Sequence, residues 1–250
     1  MMTCRIVFPD AKILEAVIDA LSAVLDTEAT LKITENGMAA RGLDDAHVSL
    51  VDLELGRELF EEWDVEPCEV TLSLPDVRKA LKLKKGQRAI LEVNDKAVKI
   101  TLVDEKSYTE KAFTFRTIEF EAGAVKIPSI GFTAEAKAST RAIADTVSLL
   151  ARIDSQVKII MNEKLRFEAV NESVRAADEY SPNGIALYEL RVSRPAEACF
   201  STVYLERIMK AARKLSSDMT IRLATDTPIE ISPEIPGGRL TYLLAPIISR

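Results

Sequence analysis

Apolar and polar residues alternate along this chain with two different periods, and each period predicts a different kind of element. Residues 13–25 place Ile13 and Val17 on one face of a helix, and Asp10 precedes them as a candidate N-cap. Residues 48–55, with the sequence VSLVDLEL, alternate sharply, which predicts a strand with one buried face. The chain therefore combines helices and strands.

The same two periods predict the remaining elements, and most of these are strands. Further helices are predicted at residues 75–83, 140–153 and 204–215. Further strands are predicted at residues 31–33, 38–41, 69–72, 89–93, 97–103 and 112–116, and then at 157–160, 165–170, 174–180, 185–192, 219–224, 229–232 and 240–244. A sheet must cover one face of each helix, which leaves the other face of the helix free.

This pattern occurs twice in the chain. Residues 29–44 align with residues 156–171, and both segments predict a strand, an Asn-containing turn and a second strand. Residues 77–95 align with residues 208–226, and both predict a helix with Lys and Arg that leads into a strand ending at an Asp. Two repeats in the same order and at similar offsets indicate two similar domains.

A change of pattern separates the two repeats. Residues 117–133, with the sequence TIEFEAGAVKIPSIGFT, contain Gly, Pro and scattered apolar residues without a clear period. This segment is predicted to be an extended connector. The sequence thus predicts an N-terminal domain at 1–116, a connector at 117–133 and a C-terminal domain at 134–250.

Composition is consistent with two modest globular domains. The chain has 250 residues, of which 47% are hydrophobic and 29% are charged. We expect no membrane span and no signal peptide, because no apolar run is long enough and the N-terminus lacks the required pattern. Three cysteines lie far apart in the sequence, which favours free thiols and a reducing compartment over a disulfide framework or a zinc site.

The distribution of charge matters more than its sum. The net charge of −6 argues against binding nucleic acid, but two predicted helices at equivalent repeat positions carry basic faces. The basic residues are Arg78, Lys79, Lys82 and Lys85 in the first repeat and Arg207, Lys210, Arg213 and Lys214 in the second. A solvated helix face is the alternative interpretation of either helix alone. Recurrence at equivalent positions favours one shared basic surface.

The sequence contains no recognisable catalytic motif or cofactor motif. His47 is the only histidine, so a single chain cannot supply a His-dependent triad or a site with several His ligands. Neither a P-loop nor a G-x-G-x-x-G segment is present. Asp44 and Asp45 are adjacent, which favours a turn over a shared ligand. Acid–base catalysis by scattered carboxylates stays open, but nothing points to an enzyme, a metal or a cofactor.

Four short segments resemble one known family. Residues 42–51, GLDDAHVSLV, resemble the segment after the first hairpin of the proliferating cell nuclear antigen family of sliding DNA clamps, in its archaeal type. Residues 240–247, LTYLLAPI, resemble the terminal strand and tail of that family. Residues 226–229 resemble its D-x-P-L loop, and residues 125–128 fall in its interdomain connector. The resemblance extends over the whole chain and includes the duplication.

The resemblance implies a fold, an assembly and a function. It implies an α+β DNA-clamp fold of two similar domains, each with two helices packed on antiparallel sheet. Three chains would form a ring, with the helices lining the hole and the sheets forming the wall. Duplex DNA would pass through, and the basic helix faces would meet phosphates without reading bases. Such a ring is a polymerase processivity factor that tethers replication and repair enzymes to DNA.

The resemblance also implies two kinds of protein contact. DNA polymerase, flap endonuclease, DNA ligase and the clamp loader would bind through short peptide motifs to an apolar patch. By resemblance that patch comprises Leu43, Asp44, His47, Val48, Leu50, Val125, Ile127, Pro228, Leu243, Leu244, Ala245, Pro246 and Ile247. Neighbouring chains would pair strand 111–116 with strand 174–180. The implied interface residues are Phe113, Phe115, Arg116, Val174, Ala176 and Tyr180.

The chain departs from the family in the first helix of each domain, where basic residues are expected. The first domain has Glu15, Ala16, Asp19 and Ser22 there, with Lys12 nearby, and the second has Asp145 and Ser148 between Arg141 and Arg152. A heterotrimer whose other subunits supply the charge would explain this, and so would a homotrimer with weak DNA contacts. The sequence favours the heterotrimer slightly.

Three other functions stay open at this stage. A checkpoint-type clamp subunit would load at DNA damage, although the tail and connector favour the replicative version. An interaction scaffold without DNA would tolerate reversal of charge at the basic helices. An enzyme with a duplicated α+β fold would need a concave pocket with convergent titratable groups. For a clamp of archaeal type the expected location is the cytoplasm, and for a eukaryotic source it is the nucleus.

Overall fold

The computed structural model describes residues 2–94, 96–119 and 125–248. The first half contains β1 (Met2–Phe8), α1 (Ala11–Ser22), β2 (Glu28–Thr34), β3 (Gly37–Leu43), β4 (Ser49–Gly56), a 3-10 turn (Arg57–Leu59), β5 (Glu62–Val65), β6 (Cys68–Ser73), α2 (Leu74–Ala80), β7 (Arg88–Asn94), β8 (Ala97–Asp104) and β9 (Thr109–Arg116).

The second half repeats the order of helices and strands. It contains β10 (Ala134–Ser139), α3 (Thr140–Leu150), β11 (Gln156–Met161), β12 (Leu165–Val170), β13 (Arg175–Tyr180), β14 (Leu187–Val192), β15 (Ala196–Ser201), α4 (Thr202–Leu215), β16 (Asp218–Leu223), β17 (Ile229–Pro233) and β18 (Gly238–Leu244). The predicted duplication and the α+β class are therefore confirmed.

The chain divides into two compact units. Unit 1 comprises Met1–Gly42, Asp52–Val125 and Pro236–Gly238, and unit 2 comprises Leu43–Val51, Lys126–Ile235 and Arg239–Arg250. The predicted domain limits at 1–116 and 134–250 stay a prediction. The predicted domains are continuous segments that follow the sequence repeat, whereas each compact unit contains three separate segments of the chain.

Antiparallel strands form the sheets of each unit. In unit 1 the strands run in the order β5-β1-β7-β8-β9, and a second run has the order β4-β3-β2-β6. In unit 2 the corresponding orders are β14-β10-β16-β17-β18 and β13-β12-β11-β15. The apolar faces of α1 and α2 pack on strands of unit 1, and those of α3 and α4 pack on strands of unit 2. Each unit thus has its own hydrophobic core.

Polar residues at the ends of strands begin the helices. The Asp10 side chain accepts a hydrogen bond from the Lys12 backbone N–H at 2.8 Å, which confirms the predicted N-cap of α1. Ser73 and Ser139 accept in the same way at the starts of α2 and α3. Because the first N–H groups of a helix lack partners within it, a capping oxygen fixes where the helix begins.

The prediction that the second helix extends to residue 83 is wrong. α2 ends at Ala80, and Leu81 has extended backbone dihedral angles. Leu81 and Leu83 are both buried while Lys82 is exposed, an alternation that an extended chain produces and a helix does not. The Gln87 side chain accepts a hydrogen bond from the Lys84 N–H at 3.1 Å and stabilises the non-helical segment.

Strand β4 is buried on both faces rather than on one. Ser49 and Asp52 lie among the apolar residues of the strand and are almost inaccessible to water. The buried Asp52 carboxylate accepts a hydrogen bond from the Arg41 guanidinium at 2.6 Å, which offsets the cost of removing its charge from water. Of the polar residues in this strand only Glu54 is exposed, so the alternation in the sequence does not mark a continuous solvent-facing side.

Four strands escaped the sequence analysis: β1, β5, β10 and β15. Strands β10 (AEAKAS) and β15 (AEACFS) carry Ala at alternate buried positions. Ala has low strand propensity and high helix propensity, so its period-two pattern is a weak signal. Both strands pair with neighbouring strands, and their Ala side chains are buried.

Candidate DNA and partner interfaces

Exposed basic residues follow the second helix of unit 1. Arg78 and Lys79 lie on α2, Lys82 lies on the extended segment after it, and Lys85 lies in the turn that follows. All four side chains are exposed. The predicted helical spacing of Lys82 and Lys85 is thus wrong, but their basic charge remains on the surface.

Helix α4 of unit 2 carries the second basic group. Lys210, Arg213 and Lys214 are exposed, and Arg207 is half-buried. Leu205, Ile208 and Ala212 occupy the opposite, buried face. The apolar period also predicts Leu215 on this face, and the structure leaves it half-buried. Basic residues in the last turn also interact favourably with the helix dipole.

Acidic residues on the first helices lie next to these basic groups. The Asp19 carboxylate of α1 is 3.9 Å from the Arg78 guanidinium of α2. The Asp145 carboxylate of α3 is 2.9 Å from the Arg213 guanidinium of α4. The Asp145–Arg213 pair is exposed and contributes little to stability. The main effect of both acidic residues is to lower the positive potential that either helix pair presents to a phosphate.

A tight turn occupies residues 44–48 in unit 2. The buried Asp44 carboxylate accepts hydrogen bonds from the N–H groups of Val48 and Ser49, at 2.8 and 2.7 Å. The predicted turn role of Asp44 agrees with these bonds, and its neighbour Asp45 is exposed. His47 is exposed and has a left-handed backbone, with φ of 57°. Leu43 and Val48 are half-buried beside the turn.

The C-terminal tail lies against this turn. The Ala245 N–H donates to the Val48 carbonyl at 2.8 Å, and the Ile247 N–H donates to the Cys199 carbonyl at 2.7 Å. Ala245, Pro246 and Ile247 are half-buried, so part of each side chain remains accessible. The turn and the tail together form a continuous surface of unit 2.

The other candidate partner residues differ in exposure. Leu50, Leu243 and Leu244 are buried in strands, so in this conformation they support the surface from beneath and cannot touch a peptide. Pro228 is half-buried before β17, and Ile127 is 39% exposed. Val125 is half-buried in unit 1, where its carbonyl accepts a hydrogen bond from Arg41 at 3.5 Å.

The candidate subunit interface lies on two edge strands. Among the described residues β9 pairs only with β8, and β13 pairs only with β12, so each strand has an open edge. Phe113, Phe115, Ala176 and Tyr180 are half-buried, and Arg116 and Val174 are exposed. Burial raises the pKa of the Tyr180 phenol, whose oxygen also contacts the Thr146 hydroxyl.

One residue next to the partner surface has no signal in the sequence. The Tyr204 hydroxyl of α4 donates to the Asp44 carboxylate at 2.9 Å, across 160 positions in the sequence. No local pattern identifies such a contact, because a tyrosine in the first turn of a helix is unremarkable by itself. Within the described ranges, no group of three or more His, Cys, Asp or Glu side chains is placed to hold a metal, and no helix is long and apolar enough to span a membrane.

Comparison with solved structures defines the class of this fold. Proliferating cellular nuclear antigen from Entamoeba histolytica superposes with a TM-score of 0.90 at 20% identity, covering 99% of this chain and 100% of the other. The equivalent protein from Thermococcus kodakaraensis gives a TM-score of 0.90 at 23% identity, with 98% and 100% covered. The fold is therefore that of a DNA clamp.

Sequence comparison gives the family. A family model for the N-terminal domain of proliferating cell nuclear antigen matches residues 1–124. DNA polymerase sliding clamp 1 of Pyrobaculum aerophilum is 31% identical over 241 residues, covering 95% of each chain. The sliding clamp of Thermofilum pendens is 30% identical over 246 residues, covering 97% of this chain and 98% of the other.

The chain belongs to the family of DNA polymerase sliding clamps. The prediction of a sliding-clamp processivity factor, which the sequence suggested through four short segments, is confirmed. The DNA-facing, partner-binding and interface residues stay predictions.

Proposed function

We propose that this chain is a non-catalytic subunit of a three-membered ring that encircles duplex DNA and holds partner enzymes on its surface. The observation that carries the proposal is that β9 in unit 1 and β13 in unit 2 each end a sheet and leave one strand edge open. A strand edge with free N–H and C=O groups is a template for pairing with another chain. Pairing β9 of one chain with β13 of the next would use both edges and repeat around a closed ring.

The basic residues suit contact with a DNA backbone. Lys82, Lys85 and Lys210 are exposed cations that could approach phosphates without reading base edges. Contacts of this kind depend strongly on salt and are independent of sequence, so they would allow the ring to slide. Retention on DNA would then come from topology rather than from affinity.

The turn and tail suit the binding of short peptides. This surface contains exposed and half-buried side chains beside the C-terminal segment of the chain. They belong to His47, Val48, Ile127 and the tail residues 245–247. Such a surface accommodates peptides with aliphatic and aromatic anchors. We propose that DNA polymerase, flap endonuclease, DNA ligase and the clamp loader bind here.

The acidic first helices favour a heterotrimer. Asp19 and Asp145 lie beside Arg78 and Arg213 and reduce the net positive charge of both helix pairs. Other subunits could restore the charge that a phosphate backbone requires. A checkpoint-type clamp is the second candidate function. It would form the same kind of ring and would differ from the replicative clamp only in its partners.

An enzyme is a less suitable interpretation. A cavity in unit 1 beneath α1 is lined by apolar side chains, among them Leu14, Val17, Met38 and Leu91. It therefore provides no acid or base that could act on a substrate.

Reversal of charge at Lys82 and Lys210 tests the DNA contact. The double variant Lys82→Glu/Lys210→Glu should assemble like the wild type but stimulate a DNA polymerase less on primed linear DNA. The deficit should be largest at low salt and shrink as salt increases, because salt screens the phosphate contacts that the wild type makes. The matched control Lys32→Glu/Lys96→Glu makes the same change of charge on a strand and a hairpin turn, and stimulation should persist. Equal stimulation by both double variants would contradict the DNA-facing assignment and favour a scaffold without DNA.

A further inference from the structure

A buried carboxylate organises the turn of the proposed partner surface. One oxygen of Asp44 accepts from the Val48 and Ser49 amides, at 2.8 and 2.7 Å. Two backbone hydrogen bonds close the same turn, from the Asp44 N–H to the Ser49 carbonyl at 3.0 Å and from the His47 N–H to the Asp44 carbonyl at 2.9 Å. The conformation of the whole turn thus depends on how this carboxylate is oriented.

The second oxygen of Asp44 has a different kind of partner. It accepts from the Tyr204 hydroxyl at 2.9 Å. Tyr204 lies in the first turn of α4, where its neighbour Leu205 is buried and Thr202 donates from its hydroxyl to the Asp154 carbonyl at 3.1 Å. The phenol is therefore held by a helix that is fixed on the core of unit 2.

The turn needs this support because it contains strain. His47 has φ of 57°, in the left-handed region that is unfavourable for a residue with a side chain. A charged carboxylate that is 5% exposed must also have its hydrogen bonds satisfied. The Val48 carbonyl accepts from Ala245, so a shift of the turn also displaces the tail.

We propose that Tyr204 is a positioning residue for partner binding. Its hydroxyl orients the Asp44 carboxylate, which holds the 44–48 turn and, through Val48, the start of the tail. The inference rests on the proposed function, which places the bound peptide on the turn and tail. Tyr204 itself does not need to touch the peptide.

The variant Tyr204→Phe isolates this role, because it removes one oxygen atom and keeps the aromatic ring. The probe is a fluorescent synthetic peptide with one aliphatic and two adjacent aromatic anchors at helical spacing. Its Kd should rise about tenfold, the effect of losing a hydrogen bond to a charged group. Hydrogen exchange at the amides of Val48, Ser49 and Ala245 should accelerate in the free protein, while amides of β11 and β12 should not change.

A matched control separates positioning from a general loss of stability. Tyr188→Phe removes the hydroxyl oxygen from another tyrosine of unit 2, whose hydroxyl is hydrogen-bonded to Asp218. Peptide affinity and exchange in the turn should match the wild type in this variant. The addition of Asp44→Asn to Tyr204→Phe should give less than the sum of the two separate effects, because both changes act on one interaction.

Two outcomes distinguish the inference from the function on which it rests. If Ile127→Asp weakens peptide binding but Tyr204→Phe changes neither affinity nor exchange in the turn, the positioning role is wrong and the proposed site stands. If peptide binding is unaffected by Ile127→Asp and by shortening the tail at Ala245, the proposed site is wrong and the positioning role falls with it.

Discussion

Two buried carboxylates in this protein have partners that stabilise them individually. Asp44 is satisfied by two backbone amides and a tyrosine, and Asp52 by a guanidinium. The structure also brings together two cysteines that are distant in the sequence. The Cys4 and Cys68 sulfur atoms, in β1 and β6, are 3.1 Å apart. Single side chains therefore depend on contacts that sequence spacing does not reveal.

The thiol of Cys68 should react slowly. Burial, followed by the hydrogen bond and charge interaction with Cys4, raises the pKa of Cys68 to about 12. At pH 8 its thiolate fraction should be about a thousandfold below that of an ordinary thiol, so iodoacetamide should label it slowly. Labelling can be followed by peptide mass spectrometry. Urea-unfolded protein is the reference, and equally fast labelling of the native protein would contradict the raised pKa.

The same shift has a consequence for stability. Because the folded state holds the proton of Cys68 more tightly than the unfolded state, protonation favours folding. The contribution is fully present below pH 9 and is lost as pH rises from 9 towards about 12. A series of urea denaturations over this range should show that the loss is smaller in Cys68→Ser than in the wild type.

Gly37 should tolerate no side chain. Its φ is 147°, and an added Cβ would lie 2.0 Å from the Leu55 carbonyl oxygen. Gly37→Ala should therefore lower the free energy of unfolding by about 2 kcal/mol or more, as measured by chemical denaturation. Gly131→Ala is the control, because an added Cβ there would meet no atom within 4 Å. A loss that is the same in both variants would contradict the steric explanation.

At the scale of elements, the ends of helices and the faces of strands depend on what packs against them. α2 stops after Ala80 because the extended backbone that follows buries both Leu81 and Leu83. The segment still displays Lys82 and Lys85. In each of the helix pairs α1–α2 and α3–α4, an acidic residue of the first helix lies beside a basic residue of the second. The acidic residue limits the positive potential of its helix pair.

Removal of the acidic residues should strengthen DNA binding. Asp19→Asn/Asp145→Asn removes negative charge beside Arg78 and Arg213. Affinity for a short linear duplex at low salt should rise about three- to tenfold, and the gain should shrink as salt increases. The control Glu35→Gln/Glu163→Gln removes two charges from exposed hairpin turns. Equal gains in both variants would show a nonspecific effect of net charge.

At the scale of the whole molecule, the sheets that the structure describes end in strands with an open edge, among them β9 in unit 1 and β13 in unit 2. Free edges promote aggregation unless another strand covers them, so assembly is the expected state in solution. Which chains cover the edges decides whether the ring is a homotrimer or a heterotrimer.

The mass of the purified chain in solution distinguishes these assemblies. The proposed heterotrimer predicts that light scattering across a concentration series will find no stable trimer of this chain alone, and that the trimer will form when the partner subunits are added. A stable mass of three times the monomer mass would contradict the heterotrimer and establish a self-sufficient ring.

The sequence by itself determined the features that arise from local physics or from repetition. The apolar period of α4, the Asp10 cap and the turn at Asp44 follow from residues close together in the chain, and the duplication follows from the recurrence of these patterns. Only the tertiary structure decided which faces β4 buries, where α2 ends, and that Tyr204 reaches Asp44. Burial and long-range hydrogen bonds depend on which elements meet, and hydrophobic periodicity along the chain does not contain that information.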